Sequence, residues 1–276
     1  LGATYGPFES EFSRSLFGAF ARLSDRLIVR DLESFEGLRE DHVLLDPVVA
    51  ERVLSPGLDS AFFLPQPERR LERRSAAVVG LVPRLEASGI RVGASASSQR
   101  DEQLDAGGMD TSEAFRLYAA LGEACLEEGH VLRVFVQTDA DRGLAEALVS
   151  HLEAKGGDQD GVELVSANRL DTYRMHIADV DALVTSRLHS LIFAADIGIA
   201  SVALPFDEHG PKMRGVMRML GTDSLCLDPR QTAVEAVMEK LTGVTDDPVG
   251  AGSELAATVE RLRCETREMV SAELSN

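Results

Sequence analysis

The chain of 276 residues has few basic residues for its length. Lys and Arg number 28 against 46 Asp and Glu, so the formal net charge is -18. Binding to a nucleic-acid backbone needs clustered Lys and Arg that displace counterions, and this charge therefore argues against a nucleic-acid partner. The acidic residues are spread along the chain, which is typical of a solvated surface and limits attraction to anionic membranes.

Cysteine, metal-ligand clusters and long apolar runs are also scarce. Cys125, Cys226 and Cys264 are too scattered for a disulfide framework, and none has a second thiol at metal-ligand spacing. The six histidines are dispersed, with no carboxylate pair beside them at ligand spacing, so we predict no metal site. Without a membrane-length apolar run or a signal-peptide pattern, the sequence predicts a cytoplasmic protein, in solution or peripheral to the inner face of the membrane.

Short apolar runs alternate with amphipathic segments along most of the chain, which is typical of a doubly wound parallel sheet. A helix is predicted over 8–23, a strand over 27–29 and a helix over 32–38, whereas 54–74 shows no sustained period and is predicted to be a linker. The near-continuous apolar run 76–82 predicts a strand buried on both faces. Further strands are predicted at 131–137, 162–165, 182–185, 200–204 and 224–227, and further helices at 111–128, 141–152, 171–178, 188–197, 211–220, 231–241 and 254–274.

The linker divides the chain into two predicted domains. Residues 1–70 are predicted to form what remains of an incomplete amino-terminal domain, together with the linker. Residues 71–252 are predicted to form a carboxy-terminal domain, and 253–276 a terminal helix. In an open α/β sheet the ligand lies beyond the carboxyl ends of the strands, so the residues that follow each strand are the candidates for a site.

The strongest candidate is the turn from Ser186 to His189, between a predicted buried strand and a helix whose first turn offers unpaired N–H groups to an anion. Arg187 can bind a carboxylate or phosphate through two hydrogen bonds, and His189 can donate or accept a proton near neutrality. The spacing fits equally well a structural alternative, in which Arg187 caps a carbonyl and His189 is a half-buried helix residue.

The segment from Leu183 to Ala194, together with the segments around Gly198, Phe206 and Lys212, resembles the signature of the polysaccharide pyruvyl transferase family. That signature has an S-x-R-L-H turn, an apolar helix, a G-[VI]-P strand and a Y-D-x-K segment. Ala200-Ser201 stands here where proline is usual, and Phe206 where tyrosine is usual. Further matches follow in the family's order at Gly6-Pro7-Phe8, Val29-Arg30-Asp31, Ser34, Asp46-Pro47, Thr138-Asp139 and Gly221.

The resemblance implies a fold of the GT-B type, with two Rossmann-like domains, of which the first is expected to lack its opening strand and Gly-Asp loop. It implies phosphoenolpyruvate as the donor substrate and a glycan or lipid-linked sugar as the acceptor. Pyruvate would be transferred as a ketal with release of phosphate, without a separate cofactor.

The resemblance also assigns roles to residues. Arg187 and Arg30 are expected to hold the phosphate and carboxylate of the donor, because two guanidinium groups can orient a trianion. His189 is expected to protonate the methylene carbon or to take the proton of the attacking hydroxyl.

Five further residues are expected to contact substrates. Ser186 and Leu188 belong to the same turn, Lys212 is a candidate phosphate contact, and Asp139 and Asp207 are candidates for holding acceptor hydroxyls. The alternatives are a solvated side chain for Lys212 and helix caps for the two aspartates.

Two other functions stay open from the sequence. One is a GT-B glycosyltransferase that uses a nucleotide sugar, in which the arginine and histidine would contact a diphosphate. The other is a catalytically silent binding domain, in which an unpaired sheet edge would promote self-association and a homo-oligomer.

Overall fold

The computed structural model describes residues 8, 10–69, 76–85, 112–156, 161–206 and 211–274. The chain divides into two compact units that are both discontinuous in sequence. The first unit comprises 1–65, 211–223 and 255–276, and the second comprises 66–210 and 224–254. This division differs from the continuous ranges predicted from the sequence, because 211–223 and most of the last helix pack with the first unit.

Ten helices and seven strands are described here, in chain order. They are α1 (Glu11–Leu23), β1 (Leu27–Val29), α2 (Leu32–Glu40), α3 (Pro47–Val53), β2 (Leu54–Pro56), β3 (Val78–Val82), α4 (Glu113–Glu127), β4 (Val131–Val136), α5 (Arg142–Gly156), β5 (Val162–Ser166), α6 (Leu170–Ala178), β6 (Ala182–Thr185), α7 (Leu188–Asp196), β7 (Ser201–Ala203), α8 (Lys212–Leu220), α9 (Val234–Thr245) and α10 (Pro248–Leu274).

The first unit contains a two-stranded parallel sheet in which Ile28 of β1 lies opposite Ser55 of β2. Its core is formed by the inner face of α1 and by residues of α2, α3 and both strands. The prediction of a linker over 54–74 is wrong for its first ten residues, which hold β2 and a 3₁₀ turn, Ser60–Phe63, with a fully buried Phe62. A three-residue strand that ends in proline is too short to produce a detectable hydrophobic period.

The second unit contains a five-stranded parallel sheet in the order β5-β4-β3-β6-β7. All five residues of the central strand β3 are buried. Val79 and Leu81 belong to a core shared with α4, α5 and α9, whereas a Cβ atom on Gly80 would meet the side chains of Leu183 and Phe135. The prediction of a doubly wound parallel sheet is confirmed. All strands are parallel, and the chain adds β4 and β5 on one side of β3 and then β6 and β7 on the other, so the switch point at which such sheets bind ligands lies between β3 and β6.

The carboxy-terminal part differs from the sequence prediction in two places. The predicted strand 224–227 is a 3₁₀ turn, Asp223–Leu225, followed by a single bridge between Cys226 and Ala203. The stretch 242–252, which separates two predicted helices, is itself largely helical, because α9 continues to Thr245 and α10 begins at Pro248. The side chain of Asp247 accepts a hydrogen bond from the N–H of Gly250, which caps the start of α10.

Candidate active site

The turn from Ser186 to His189 joins β6 to α7 at the carboxyl end of the five-stranded sheet, beside the switch point. Its backbone is fixed by the buried Thr185, whose Oγ1 accepts a hydrogen bond from the N–H of Arg187 at 2.9 Å and donates one to the carbonyl of Arg187 at 3.2 Å. No side chain caps the start of α7 among the described residues. The first N–H groups of this helix therefore keep the anion-binding capacity predicted from the sequence.

Ser186 links three strand ends rather than presenting its hydroxyl to solvent. It is buried, and its Oγ donates to the carbonyl of Leu204, just beyond β7, at 2.7 Å. The hydroxyl of Tyr118 lies 2.9 Å from Ser186 Oγ and donates to the carbonyl of Val82, at the end of β3, at 3.2 Å. Burial raises the pKa of Tyr118, so its hydroxyl keeps its proton and remains a donor.

Arg187 extends across the carboxyl end of β3. Its Nη2 atom lies 2.5 Å from the carboxylate of Asp141 and donates to Thr138 Oγ1 at 3.1 Å. Thr138 and Asp141 follow β4, and since β4 and β6 flank β3, the guanidinium group spans the end of the central strand. Only 11% of the Arg187 side chain is exposed, and its Nε atom is buried without a hydrogen bond to any described residue.

His189, the predicted proton-transfer residue, is exposed in the first turn of α7. Its ring lies 6.2 Å from the ring of Phe193, one helical turn further along. The next residue, Ser190, is buried, donates to Gln137 Oε1 at 2.5 Å and lies 2.7 Å from the hydroxyl of Tyr173. These hydrogen bonds attach the first turn of α7 to the end of β4, so the exposed imidazole is carried by a fixed helix.

Two of the predicted substrate contacts belong to the first unit. Arg30 follows β1 and forms a largely buried ion pair with Asp59, whose carboxylate also accepts a hydrogen bond from the N–H of Ala61. Lys212 is the first residue of α8 and is half-buried. The grouping of Arg30 and Lys212 with Arg187 around one donor stays a prediction.

The remaining predicted contacts lie in the second unit. Asp139 is almost fully exposed and lies 3.1 Å from the guanidinium of Arg142. Leu188 is half-buried at the first position of α7. Asp207 falls outside the described residues. The structure therefore brings Ser186, Arg187, Leu188 and His189 together on one turn.

Asp141 is the residue of this site that the sequence prediction missed. It is fully buried and holds Arg187, but on the sequence it is the first residue of a predicted helix and resembles an ordinary cap. Its distance from Arg187 along the chain gives no signal, because the two residues meet only when β4 and β6 lie on either side of β3.

Within the described ranges, no group of three or more His, Cys, Asp and Glu side chains is placed to hold a metal ion. None of the described helices combines the length and the apolar character that crossing a bilayer requires.

Comparison with solved structures identifies the fold class. The chain aligns with a glycosyltransferase from Rickettsia africae at a TM-score of 0.56 and 10% identity, over 98% of this chain and 68% of that one. It also aligns with a mutant O-GlcNAc transferase from Thermobaculum terrenum at a TM-score of 0.47 and 21% identity, over 89% of this chain but only 42% of that one. The chain thus spans less than half the length of the second structure. The fold is of the GT-B type.

The family follows from the sequence itself. Residues 1–208 match the model of the polysaccharide pyruvyl transferase family, and the chain belongs to that family. No curated protein matched the sequence.

Proposed function

We propose that this protein transfers pyruvate from phosphoenolpyruvate to a glycan or lipid-linked sugar, forming a ketal and releasing phosphate. The observation that carries the proposal is the Ser186–His189 turn. It combines an arginine, an exposed imidazole and uncapped helix N–H groups at the switch point of the sheet. Membership of the family supplies the class of reaction.

The site offers an anion clamp made of a guanidinium group and a helix amino terminus. The Arg187 guanidinium can form charge-assisted hydrogen bonds to a phosphate or carboxylate, and the first turn of α7 adds N–H donors and the positive end of the helix dipole. Because these groups are fixed by hydrogen bonds before the donor arrives, they need little reorganisation as charge moves to the leaving phosphate.

The reaction requires two proton transfers, and the exposed His189 is the proposed carrier. A hydroxyl oxygen of the acceptor bonds to C2 of phosphoenolpyruvate while the methylene carbon takes up a proton and becomes a methyl group. The C2–O bond to phosphate then breaks, a second acceptor hydroxyl bonds to C2, and its proton leaves with the phosphate. Of the two hydroxyl protons, one therefore ends on carbon and the other on phosphate.

The direct test measures phosphate release from phosphoenolpyruvate in the presence of glycosides that carry two neighbouring free hydroxyls. We expect release that depends on the glycoside, with a ketal in the product mass spectrum. His189→Ala should lower kcat by about 10²- to 10⁴-fold, the usual contribution of a general acid or base. Turnover that is unchanged in this variant would remove His189 from its role.

Arg187 needs a test that separates catalysis from folding. Arg187→Ala leaves the buried Asp141 without its cation, which costs about 3–5 kcal/mol of stability. Arg187→Lys keeps the charge but loses the planar donor geometry, and we expect it to stay folded while kcat falls by about 10²-fold. Stabilisation of the protein by nucleoside diphosphates, with none by phosphoenolpyruvate, would favour a nucleotide-sugar glycosyltransferase instead.

A further inference from the structure

Three side chains at the carboxyl edge of the five-stranded sheet form a closed ring of hydrogen bonds. Arg187 Nη2 donates to both Asp141 and Thr138, and Thr138 Oγ1 donates to Asp141 Oδ2 at 2.9 Å. The N–H of Asp141 in turn donates to the carbonyl of Thr138 at 2.9 Å, within a 3₁₀ turn that directs the carboxylate back toward the sheet. Each of the three side chains is therefore held in one orientation by its hydrogen bonds to the other two.

The ring determines which part of the Arg187 guanidinium is available. Both of its hydrogen bonds use Nη2, whereas Nε makes none with any described residue. A buried N–H without a hydrogen-bond partner is unfavourable. An anionic oxygen of the donor that accepts a hydrogen bond from Arg187 Nε would therefore remove this unfavourable term. Asp141 is fully buried, so its carboxylate holds the guanidinium of Arg187 in place before any donor binds.

We propose that Asp141 and Thr138 are positioning residues that hold the Arg187 guanidinium across the end of β3, with its remaining N–H groups directed to an anionic group of the donor. The inference rests on the proposed function, because the donor is taken to be phosphoenolpyruvate. The carboxylate of Asp141 sets the orientation of the Arg187 guanidinium, and the hydroxyl of Thr138 keeps it in that orientation. Loss of either leaves Arg187 present but misdirected.

Kinetics with phosphoenolpyruvate test this role in two ways. Asp141→Asn keeps the shape of the side chain and removes its charge, so Arg187 should bind the donor in a less productive geometry. We expect kcat per folded molecule to fall by about 10- to 100-fold while KM for phosphoenolpyruvate is unchanged or lower. Thr138→Val should act in the same direction, and Thr138→Ser, which restores the hydroxyl, should recover activity to within about twofold of the parent.

A matched control is available at the other end of α7. Asp196 forms a similarly buried ion pair with Arg174 at 2.9 Å, in the same unit. Asp196→Asn makes the same chemical change in a similar environment, and we expect a loss of stability with kcat per folded molecule unchanged. If Asp141→Asn and Asp196→Asn have the same effect on kcat, the role of Asp141 is only structural and the proposal is wrong.

A readout without turnover separates this inference from the proposed function. The ¹⁵Nε–¹H resonance of Arg187, identified by its absence in Arg187→Lys, should exchange slowly with water and shift when phosphoenolpyruvate is added. Asp141→Asn and Thr138→Val should speed the exchange and weaken the shift, and Asp196→Asn should do neither. A parent enzyme that releases no phosphate refutes the proposed function, whereas an Arg187 resonance that Asp141→Asn leaves unchanged refutes the positioning role.

Discussion

Two helical glycines of the second unit allow the same substitution to have opposite effects on stability. Gly252 lies in the first turns of α10, where a Cβ atom would come within 2.2 Å of the carbonyl oxygen of Gly198 and 3.0 Å of Arg69 Nη1. Gly198 has φ +71 in the turn between α7 and β7, and its carbonyl accepts a hydrogen bond from Arg69 at 2.8 Å. Gly243 lies near the end of α9, where an added Cβ would meet nothing within 4 Å.

The magnitudes follow from these distances. A carbon–oxygen contact settles at roughly 3.3–3.6 Å, so Gly252→Ala must separate α10 from the Gly198 carbonyl by about 1 Å. Overpacking against a backbone atom costs about 1–3 kcal/mol, which exceeds the gain of about 0.5–1 kcal/mol from replacing a helical glycine. Gly243→Ala keeps that gain without the cost. At about 2–4 °C per kcal/mol, we expect a lower melting temperature for the first variant and a slightly higher one for the second.

Differential scanning calorimetry of the parent and both variants measures this difference. The transition of the second unit should move down in Gly252→Ala and up in Gly243→Ala, with the hydrogen bond from Arg69 weakened only in the former. Equal melting temperatures for the two variants would mean that α10 does not approach Gly198 as closely as described, and the reasoning would fail.

Three further predictions concern individual cysteine, tyrosine and aspartate side chains. Cys264 is exposed and should react with Ellman's reagent in the native protein. Burial raises the pKa of the Cys125 thiol to about 12 and should keep it unreactive until the protein unfolds. Counting the reactive thiols with and without denaturant measures this difference. Burial also raises the pKa of Tyr118 and Tyr173. Above about pH 10 the native state therefore binds more protons than the unfolded state, so the free energy of unfolding should fall as the pH rises. Absorbance at 295 nm at pH 11 should show that no more than one of the three tyrosines titrates before the protein unfolds. Asp196→Asn should lower the free energy of unfolding by about 3–5 kcal/mol, because it removes the carboxylate charge that pairs with the buried guanidinium of Arg174. Urea denaturation of the parent and the variant measures this difference.

Much of the second unit could be predicted because its elements are long and regular. The apolar run that forms β3 and the strand β6 agree with the sequence prediction almost to the residue. The first unit was harder to predict, because β2 has three residues and ends in proline. Such a segment shows neither the helical nor the strand period of apolar residues. Its discontinuity was also hidden, since a close contact such as that of Gly215 with Asp31 joins residues far apart in the chain.

The candidate site was predictable only in its local part. The turn from Ser186 to His189 lies where a strand of an open sheet ends, and that position can be inferred from the sequence alone. The burial of Arg187 against Asp141 could not be inferred, because the order of the strands in space differs from their order in the chain. A prediction that began from the strand order β4-β3-β6 would have looked for the partner of Arg187 just beyond β4.

The contribution of α9 to the core of the second unit bears on when this unit can fold during synthesis. Val237 and Leu241 are fully buried against the same core as β3, although both lie beyond residue 208, where the match to the family ends. A nascent chain released at that residue would leave the part of this core beside β6 and β7 open to water. Stable, protease-resistant folding on the ribosome should therefore begin only after α9 has emerged from the exit tunnel.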